Sequence, residues 1–363
     1  MIGIDIETTA LSPHEGDLRL VQTAKGGKAR VFDLYEHASR KLWEYLVSLV
    51  DTEELVAHNA VFERKWLKAK LGIDIGVIHD TMIMSQVLYT GTRATKGRGF
   101  SHSLASVVQR ELKIEMSKEE QTSDWGALVL TPKQKEYAAF DAAVLPPLAA
   151  KLLHRIDRAG LRTTYELELR VSHAVAAMQR HGVAIHADQL DAMTEEAAER
   201  AERLKAELAE EWGINPGSSK QLKEYFKLGE RKDWPKTEGG QPSTNQEAMK
   251  ALLEEEESVA KWLEWKEVEK IRSTYGESLR KRLTPEGRIH ARFNPFGTAT
   301  GRFSSSGPNL QNIPKRGEFG KRMRGLFWSG SDERVLIKAD YASIELWVAA
   351  VLWDDPYMQK ALR

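Results

Sequence analysis

Short apolar runs set off by turn residues open the chain, and amphipathic stretches with a helical period follow. IGIDIET (2–8), LRLVQTA (18–24) and ARVFDL (29–34) predict an antiparallel β-meander. Ser39 to Val50 predicts a helix and ELVAHN (54–59) another strand. Amphipathic helices then dominate to about residue 158. The order β-β-β-α-β-α defines an α/β domain.

Residues 158–186 read as a connector and an amphipathic helix closed at Gly182, and 187–213 as a long helix ending at Gly213. Two turn-rich pieces follow. In NPGSSKQLKEYF (215–226), Ser218 or Ser219 can cap a helix whose free N–H groups suit a phosphate. In PKTEGGQPSTNQEAMKALL (235–253), a Ser243-Thr244 cap precedes a short helix. Residues 257–283 predict a second long helix, so the middle of the chain reads as an α-hairpin with a small cluster at its tip. GRIHARFNPFG (287–297) predicts strands. TATGRFSSSGPNLQNIP (298–314) has the composition of a ligand-contacting loop, with hydroxyls, amides and one cation able to donate to phosphates, sugars and base edges. VLIKAD (335–340) predicts a buried strand ending in an acid at a sheet edge.

Composition narrows the class. A chain of 363 residues with 41% apolar content supports two or three domains with ordinary cores. The absence of cysteine excludes disulfides and thiolate metal sites and fits a cytoplasmic location. Met1 runs directly into the first strand, so no signal peptide is expected. WVAAVLW (347–353) is too short to span a bilayer, so no membrane role is expected. Net charge is zero, but it is unevenly spread. From Asp191 to Glu211, eight acids against three bases leave −5; from Lys266 to Arg324, fourteen bases against five acids leave +9. The positive region surrounds the 298–314 loop, where a phosphate backbone is the natural partner.

Candidate chemistry lies mostly in the first domain. Asp5 and Glu7 are two apart on a strand and so share one face. Carboxylates facing the same way repel unless a cation lies between them, and hard oxygen ligands select Mg2+ or Mn2+. A lone D-x-E pattern is common on exposed strands. Three further pieces add to it: HNAVFE (58–63), with Asn59 and Glu63 four apart; HDT (79–81), with Asp80; and YAAFD (137–141), with Tyr137 and Asp141 four apart on a helix.

Together and in this order these motifs resemble the tyrosine subclass of DEDD-type 3′–5′ exonucleases, the proofreading domain of the bacterial DNA polymerase I family (family A). SLASVV (103–108) and EQTSDW (120–125) add to the match. TGRFSSSGPNLQNIP and KADYASIEL (338–346) resemble the polymerase domain of the same family. The resemblance implies a ribonuclease-H-like α/β exonuclease domain (1–158), a connector and mainly helical thumb (159–285), and an incomplete α+β palm (286–363). It implies two Mg2+ or Mn2+ ions per exonuclease site. Asp5 and Asp141 would be the principal ligands, Glu7 would hold one metal and the attacking water, and Tyr137 would orient that water. Leu11 would pack on the terminal base of the strand, and Asn59 would contact it. Glu63 replaces the family's aspartate and would hold a metal-bound water. Lys266, Lys270, Arg272 and Ser273 would meet duplex phosphates. Arg302, Asn309, Gln311, Asn312 and Arg316 would contact primer-template near its terminus. Lys321, Arg322 and Arg324 would add phosphate charge. Asp340 would be a palm metal ligand and Glu345 the steric gate against a ribose. Ala342, Ser343 and Trp347 depart from the family's usual serine, glutamine and arginine.

The family continues past the position of Arg363 with a fingers domain and a second palm aspartate. The expectation is therefore a chain that binds primer-template and single-stranded 3′ ends and degrades the latter. Polymerisation would require a second polypeptide or a longer chain, and an apolar face is expected where the palm stops. Two other readings stand beside this one: a stand-alone DEDD exoribonuclease, and a non-catalytic DNA-binding subunit with a decayed exonuclease, to which only Glu63 points.

Overall fold

Five strands make the first sheet: β1 (Ile2–Thr8), β2 (Leu18–Lys25), β3 (Lys28–Asp33), β4 (Leu55–Ala57) and β5 (His79–Asp80), in the order β3-β2-β1-β4-β5. They are seen in a computed structural model that describes residues 1–37, 40–89, 100–117, 119–298, 300–314 and 317–363. The first three strands form the expected antiparallel meander, and β4 and β5 add in parallel. Gly26 and Gly27, at φ 56° and 77°, supply the left-handed residues of the two-residue β2–β3 turn.

The alternation of side chains along β1 sends its residues to two different environments. Ile2, Ile4 and Ile6 pack with Leu42, Leu46 and Leu49 of helix Arg40–Thr52 and with Trp66 and Leu67 of helix Val61–Leu71. Gly3, Asp5 and Glu7 occupy the alternate positions, on the side crossed by helix Pro132–Ala143. That helix starts with a capping box between Thr131 and Gln134, with Pro132 in its first turn. It approaches β1 so closely that a Cβ on Gly3 would lie 2.1 Å from the Ala142 carbonyl oxygen. Helices thus cover both faces of the sheet, the ribonuclease-H-like arrangement expected of the first domain.

Helix Arg162–His181 joins this unit. Tyr165 and Leu169 share a core with Leu145, Leu148 and Leu152 of helix Leu145–Arg158. Arg64 donates to Ser172 Oγ at 2.8 Å, and the Tyr165 hydroxyl lies 2.8 Å from His79 Nδ1. Gly182 ends the helix, as the sequence predicts.

A second core follows. Helix Ala187–Trp212 buries Leu190, Met193, Ala197, Ala201, Leu204 and Leu208 at helical spacing against Val259, Trp262, Trp265 and Val268 of helix Ser258–Lys270. The predicted second long helix is not uniform. Residues Ile271–Glu277 form a π-helical turn and Ser278–Arg280 return to α geometry. In the wide turn Gly276 sits against Thr194, where a Cβ would meet Oγ1 at 2.3 Å. Tyr275 is buried there, its hydroxyl donating to the Asn312 carbonyl. At the tip, Ser218 caps helix Ser219–Tyr225 as expected. The second cap is Asn245 rather than Ser243-Thr244, because the Asn245 side chain accepts from Ala248 N at 2.8 Å. Thr244 instead bonds Ser219, 2.8 Å between hydroxyls.

The last segment forms short strands. Arg288–Ile289 joins Val183–Ile185 and Phe327–Trp328, and Arg292–Asn294 pairs with Ser304–Ser306, so part of the loop-like 298–314 stretch is a hairpin arm. VLIKAD is not the buried strand predicted from its composition. No described strand pairs with it, so it has no ladder to enter. Val335, Leu336 and Ile337 are 80%, 59% and 87% exposed, and Asp340 is exposed rather than held at a buried sheet edge.

Gly3→Ala should force helix Pro132–Ala143 off β1 and cost on the order of 1–3 kcal/mol. Gly229→Ala, where a Cβ meets nothing within 4 Å, should not. Urea midpoints of the two variants test this, and equal midpoints would contradict the close approach.

Candidate active site

The contact at Gly3 decides where the acids lie. Asp141 precedes Ala142 on the crossing helix, and Asp5 and Glu7 follow Gly3 on β1. Ligand oxygens of Asp5, Glu7 and Asp141 all lie within 4.8 Å of one another. They face a cleft of about 400 Å³ that is also lined by Asn59, Phe62, Glu63 and Tyr137. Glu63 is outside the tight trio but is almost wholly buried, and its Oε2 has no hydrogen-bond partner. Asp141 Oδ1 is likewise buried and unpartnered. Buried carboxylate oxygens without donors are costly unless something else satisfies them. Four inward acids, two of them with orphaned oxygens and none in an ion pair among the described residues, suit a hard divalent cation.

The electrostatics agree. Burial and then the Asp141 charge push the Asp5 carboxyl well above the carboxylate range, though Gln22 Nε2 donates to its Oδ2 at 2.7 Å. Glu7 is pushed up from 4.5 to about 9 by burial, then by Asp5 and Asp141. Glu63 is raised by burial and by Asp5. Asp141 is raised from 3.8 to about 6 by burial, opposed by the hydrogen bond that the Tyr137 hydroxyl donates. That same contact, after burial, raises the Tyr137 phenol. The four-residue spacing of Tyr137 and Asp141 therefore does bring the two side chains together.

Other residues hold these in place. Asp80 is buried outside the acid trio and accepts four backbone N–H groups: Asn59 at 3.0 Å, Ala60 at 2.8 Å, Met82 at 2.8 Å and Ile83 at 3.2 Å. One carboxylate thus ties the start of the Glu63 helix to the start of helix Thr81–Tyr89. It also holds Asn59 in a left-handed conformation, φ 69°. His58 is kept neutral by burial, at about 4, and bonds Thr81 Oγ1 at 2.8 Å and the His102 carbonyl at 2.9 Å. Sequence reasoning missed Gln22 and His58, and it noted Asp80 without its anchoring role. Gln22 carried a signal: it is a polar residue inside the apolar run of β2, and it pairs with Asp5 in register.

The remaining predicted positions lie elsewhere. Leu11 is 70% exposed and lines the clefts beside the acid cleft. Lys270, Asn309 and Asn312 line one groove of about 390 Å³. Lys266 lies over the Trp262 and Trp265 rings, at 5.8 and 5.4 Å. Arg272 is engaged by Glu269 and Glu277, at 2.7 and 2.6 Å, and Ser273 Oγ donates to the Glu269 carbonyl at 2.7 Å. Asn309 caps the short 310–312 turn, and Gln311 Nε2 donates to the Phe303 carbonyl at 3.0 Å. Arg302 pairs with Glu345 at 2.7 Å, both well exposed. Arg322 pairs with Glu196 at 2.7 Å. Asp340 belongs to no acid cluster among the described residues. Arg316 lies outside the described residues.

With this geometry in view, comparison with known proteins is decisive. Residues 1–157 match the 3′–5′ exonuclease family model and residues 187–363 match DNA polymerase family A. The chain belongs to DNA polymerase family A. DNA polymerase I of Aquifex aeolicus is 30% identical over 380 residues, taking in 99% of this chain and 61% of the relative. DNA polymerase I of Rhizobium leguminosarum is 35% identical over 327 residues, taking in 87% of this chain and 32% of the relative. Among solved structures, the POL domain of Pol1 from M. smegmatis, in complex with DNA primer-template and dNTP, shares the fold. Its TM-score is 0.82 at 24% identity, over 99% of this chain and 60% of that one. The chain thus spans 61% or less of the length of these relatives. No helix among the described residues of this family A chain is long and apolar enough to cross a membrane.

The raised carboxyls set a pH dependence. A carboxyl whose folded pKa lies above its unfolded value holds its proton longer in the folded state, so stability falls as pH rises between the two values. For Asp141 that window runs from 3.8 to about 6, and for Glu7 from 4.5 to about 9. Chelator-treated protein should therefore lose Tm from about pH 5 to pH 9, on the order of 2–4 °C per kcal/mol. Added Mn2+ should raise Tm more at pH 8 than at pH 5.5, and Glu7→Gln should flatten the metal-free profile. A Tm gain from Mn2+ that is independent of pH, or kept in an Asp5→Ala/Asp141→Ala double variant, would argue against metal binding at the cluster.

Proposed function

We propose that this chain is a metal-dependent 3′–5′ exonuclease acting on single-stranded DNA ends, joined to the thumb and first part of the palm of a family A polymerase. The observation that carries the reading is the convergence of Asp5, Glu7 and Asp141 within 4.8 Å in an open cleft, where the buried Asp141 Oδ1 lacks a donor. The donor set fits two hard divalent cations, Mg2+ or Mn2+, with Asp5 and Asp141 as the principal ligands, Glu7 on one ion and Glu63 on its water. Such ions, when bound, neutralise charge on the scissile phosphate and the leaving 3′ oxygen and acidify water.

The protein's own groups do the rest. Glu7 holds the attacking water from one side. The Tyr137 hydroxyl, whose proton goes to Asp141 and which is too high in pKa to ionise, orients that water by accepting from it. Attack at phosphorus forms the new P–O bond as the bond to the 3′ oxygen breaks; the attacking water gives up a proton to solvent and the leaving oxygen takes one from solvent, so one water is consumed for each nucleotide released. Asn59 and Leu11 flank the route of the terminal nucleotide. Glu63 stands one methylene longer than the aspartate of the family motif; its unpartnered Oε2 keeps it available at that reach.

Residues 1–158, 159–285 and 286–363 are read as exonuclease, connector with thumb, and start of palm. Lys266, Lys270, Asn309, Gln311 and Asn312 would face primer-template. Arg302 would exchange Glu345 for the minor groove, at little cost because exposed pairs are weak. Asp340 and Glu345 would serve nucleotide addition once fingers and the remaining palm are present, in a longer chain or a second polypeptide. Val335, Leu336, Ile337, Leu352 and Trp353 are exposed apolar side chains available to that contact.

The test is a time course on a 5′-labelled mismatched primer with Mg2+ or Mn2+. Wild type should give a ladder of shortened products; Asp5→Ala should give none. Tyr137→Phe should slow the ladder on the order of 100-fold. Glu63→Asp should change the rate by less than about tenfold. A ladder that survives Asp5→Ala, or a gain of several orders of magnitude with Glu63→Asp, would sink the claim of a competent native site. Degradation of RNA faster than DNA would favour the exoribonuclease reading.

A further inference from the structure

Side chains from two other parts of the chain close the last turn of helix Arg162–His181. His290 Nδ1 donates to the Gln179 carbonyl at 2.9 Å, and His14 donates to the Arg180 carbonyl. Arg288 Nε donates to the His181 carbonyl at 2.8 Å. A helix leaves its final carbonyls unpaired, so such donors stabilise its end. The two imidazoles also stack on one another, with centroids 3.8 Å apart and planes 29° apart. The fit is tight on the inner side. A Cβ on Gly182, which ends the helix at φ 65°, would lie 2.8 Å from the His290 ring. His14, the outer ring, is exposed, so protons reach it directly.

His290 follows strand Arg288–Ile289, whereas His14 lies in the loop 9–17 between β1 and β2. That loop is closed on itself: Asp17 N donates to Thr9 Oγ1 at 2.8 Å, and Thr9 N to the Asp17 carbonyl at 3.0 Å. Lys70 pairs with Asp17 at 3.6 Å, a solvated contact and so a weak tie. The loop carries Leu11 into the clefts beside the acids, so the stack sets where Leu11 rests. Charge around the stack is mainly positive. Helix Val61–Leu71 brings Lys65 and Lys70, helix Arg162–His181 brings Arg180 and His181, and the last segment brings Arg282, Arg288 and Arg292. The acids are Glu15 and Asp17 on the loop itself and Glu286. Burial of its inner face, helped by Lys70 and Lys65, holds His14 below the ordinary histidine value of 6.5, against the pull of Glu286. Burial, His14 and Arg288 do the same to His290, against the Gln179 carbonyl and Glu286. A base held low in the folded state stabilises the fold above its unfolded value and loses that contribution as pH falls through the folded one.

We propose that His14 and His290 form a clasp that positions the Leu11 loop, closed while both rings are neutral and opened when both carry protons. This rests on the reading of the acid cleft as the end point of a strand, because Leu11 flanks the route of its terminal nucleotide. A neutral imidazole has one N–H for a carbonyl and a face for the partner ring. Carbonyls at a helix C-terminus tolerate one added proton. The second sets two imidazoliums against each other at stacking distance, and the surrounding cations add to that repulsion. Opening therefore follows the doubly charged state.

Hydrogen exchange of the full chain, read by mass spectrometry on peptides covering residues 9–17, tests the clasp at about pH 7.5 and about pH 5.5. After correction for the intrinsic exchange rate, the wild-type loop should exchange on the order of tenfold faster in acid. His290→Asn keeps a donor near Nδ1 but cannot take up a proton, and should remove most of that pH dependence. His14→Gln should do the same, and decides the matter if His290→Asn does not fold. His154→Asn, at an exposed position of helix Leu145–Arg158, should behave as wild type. A wild-type loop with no pH dependence overturns the proposal. So does the same dependence in both stack variants, which would assign it to the nearby carboxylates. Histidine NMR gives a second readout: His14 should titrate at higher pH in His290→Asn than in wild type, and an unmoved midpoint overturns the clasp. Neither readout needs hydrolysis, so the two readings fail separately. An inactive wild type with a pH-dependent loop removes the exonuclease and keeps the clasp. An active wild type with an indifferent loop does the reverse.

Discussion

The contact between Gly3 and the carbonyl of Ala142 sets the geometry on which this structure depends. It lets a helix lie directly on the central strand, and so brings a carboxylate from the helix onto two from the strand. The result is electrostatically unfavourable by itself. Three acids are partly desolvated, repel one another, and hold protons well above their ordinary range. The arrangement persists because the other side of the same strand is anchored. Ile2, Ile4 and Ile6 are buried against two helices, and that burial fixes β1 independently of its acidic side. Strain of this kind, held by a core on the opposite face, is the ordinary signature of a site built for a ligand.

A second level of support fixes the direction of the site groups. Gln22 lies opposite Asp5 in the antiparallel ladder, so strand register alone sets that hydrogen bond. Asp80 gathers four N–H groups from two helix starts, which fixes Asn59 and, one turn on, Glu63. Tyr137 is placed by helical spacing and leans on Trp125, ring centroids 6.4 Å apart. Each contact is local or cross-strand, yet together they converge on one cleft.

Charge is organised by pairing more than by composition. The chain is neutral overall, and the strongly basic 266–324 region is partly neutralised within the fold. Arg272 and Arg322 are engaged by glutamates, and Arg302 holds Glu345 on the surface. Lys65, Arg282 and Arg292 belong to the cations that make no ion pair among the described residues, and they line one cavity. A count of charges along the sequence cannot distinguish the two groups.

Much was legible in the sequence. Alternation and turn residues were enough to define the meander, and glycines to end the helices at Gly182 and Gly213, because these signals are local. The ordered motifs around Asp5, Glu7, Tyr137 and Asp141 pointed to the family, and helical and strand periods already placed each pair on one face. Other features needed the assembled fold. The π-helical turn at 271–277 arises where Gly276 meets Thr194, a contact between residues far apart in sequence. The cap at 245 rather than 243 was decided by which side chain reached a free N–H. VLIKAD has strand composition but no described partner, and a strand exists only as part of a ladder. The acid trio is likewise tertiary. Local sequence sets the identity and period of side chains, but only packing between distant segments decides which charges are desolvated, which are paired, and which are left to meet a ligand.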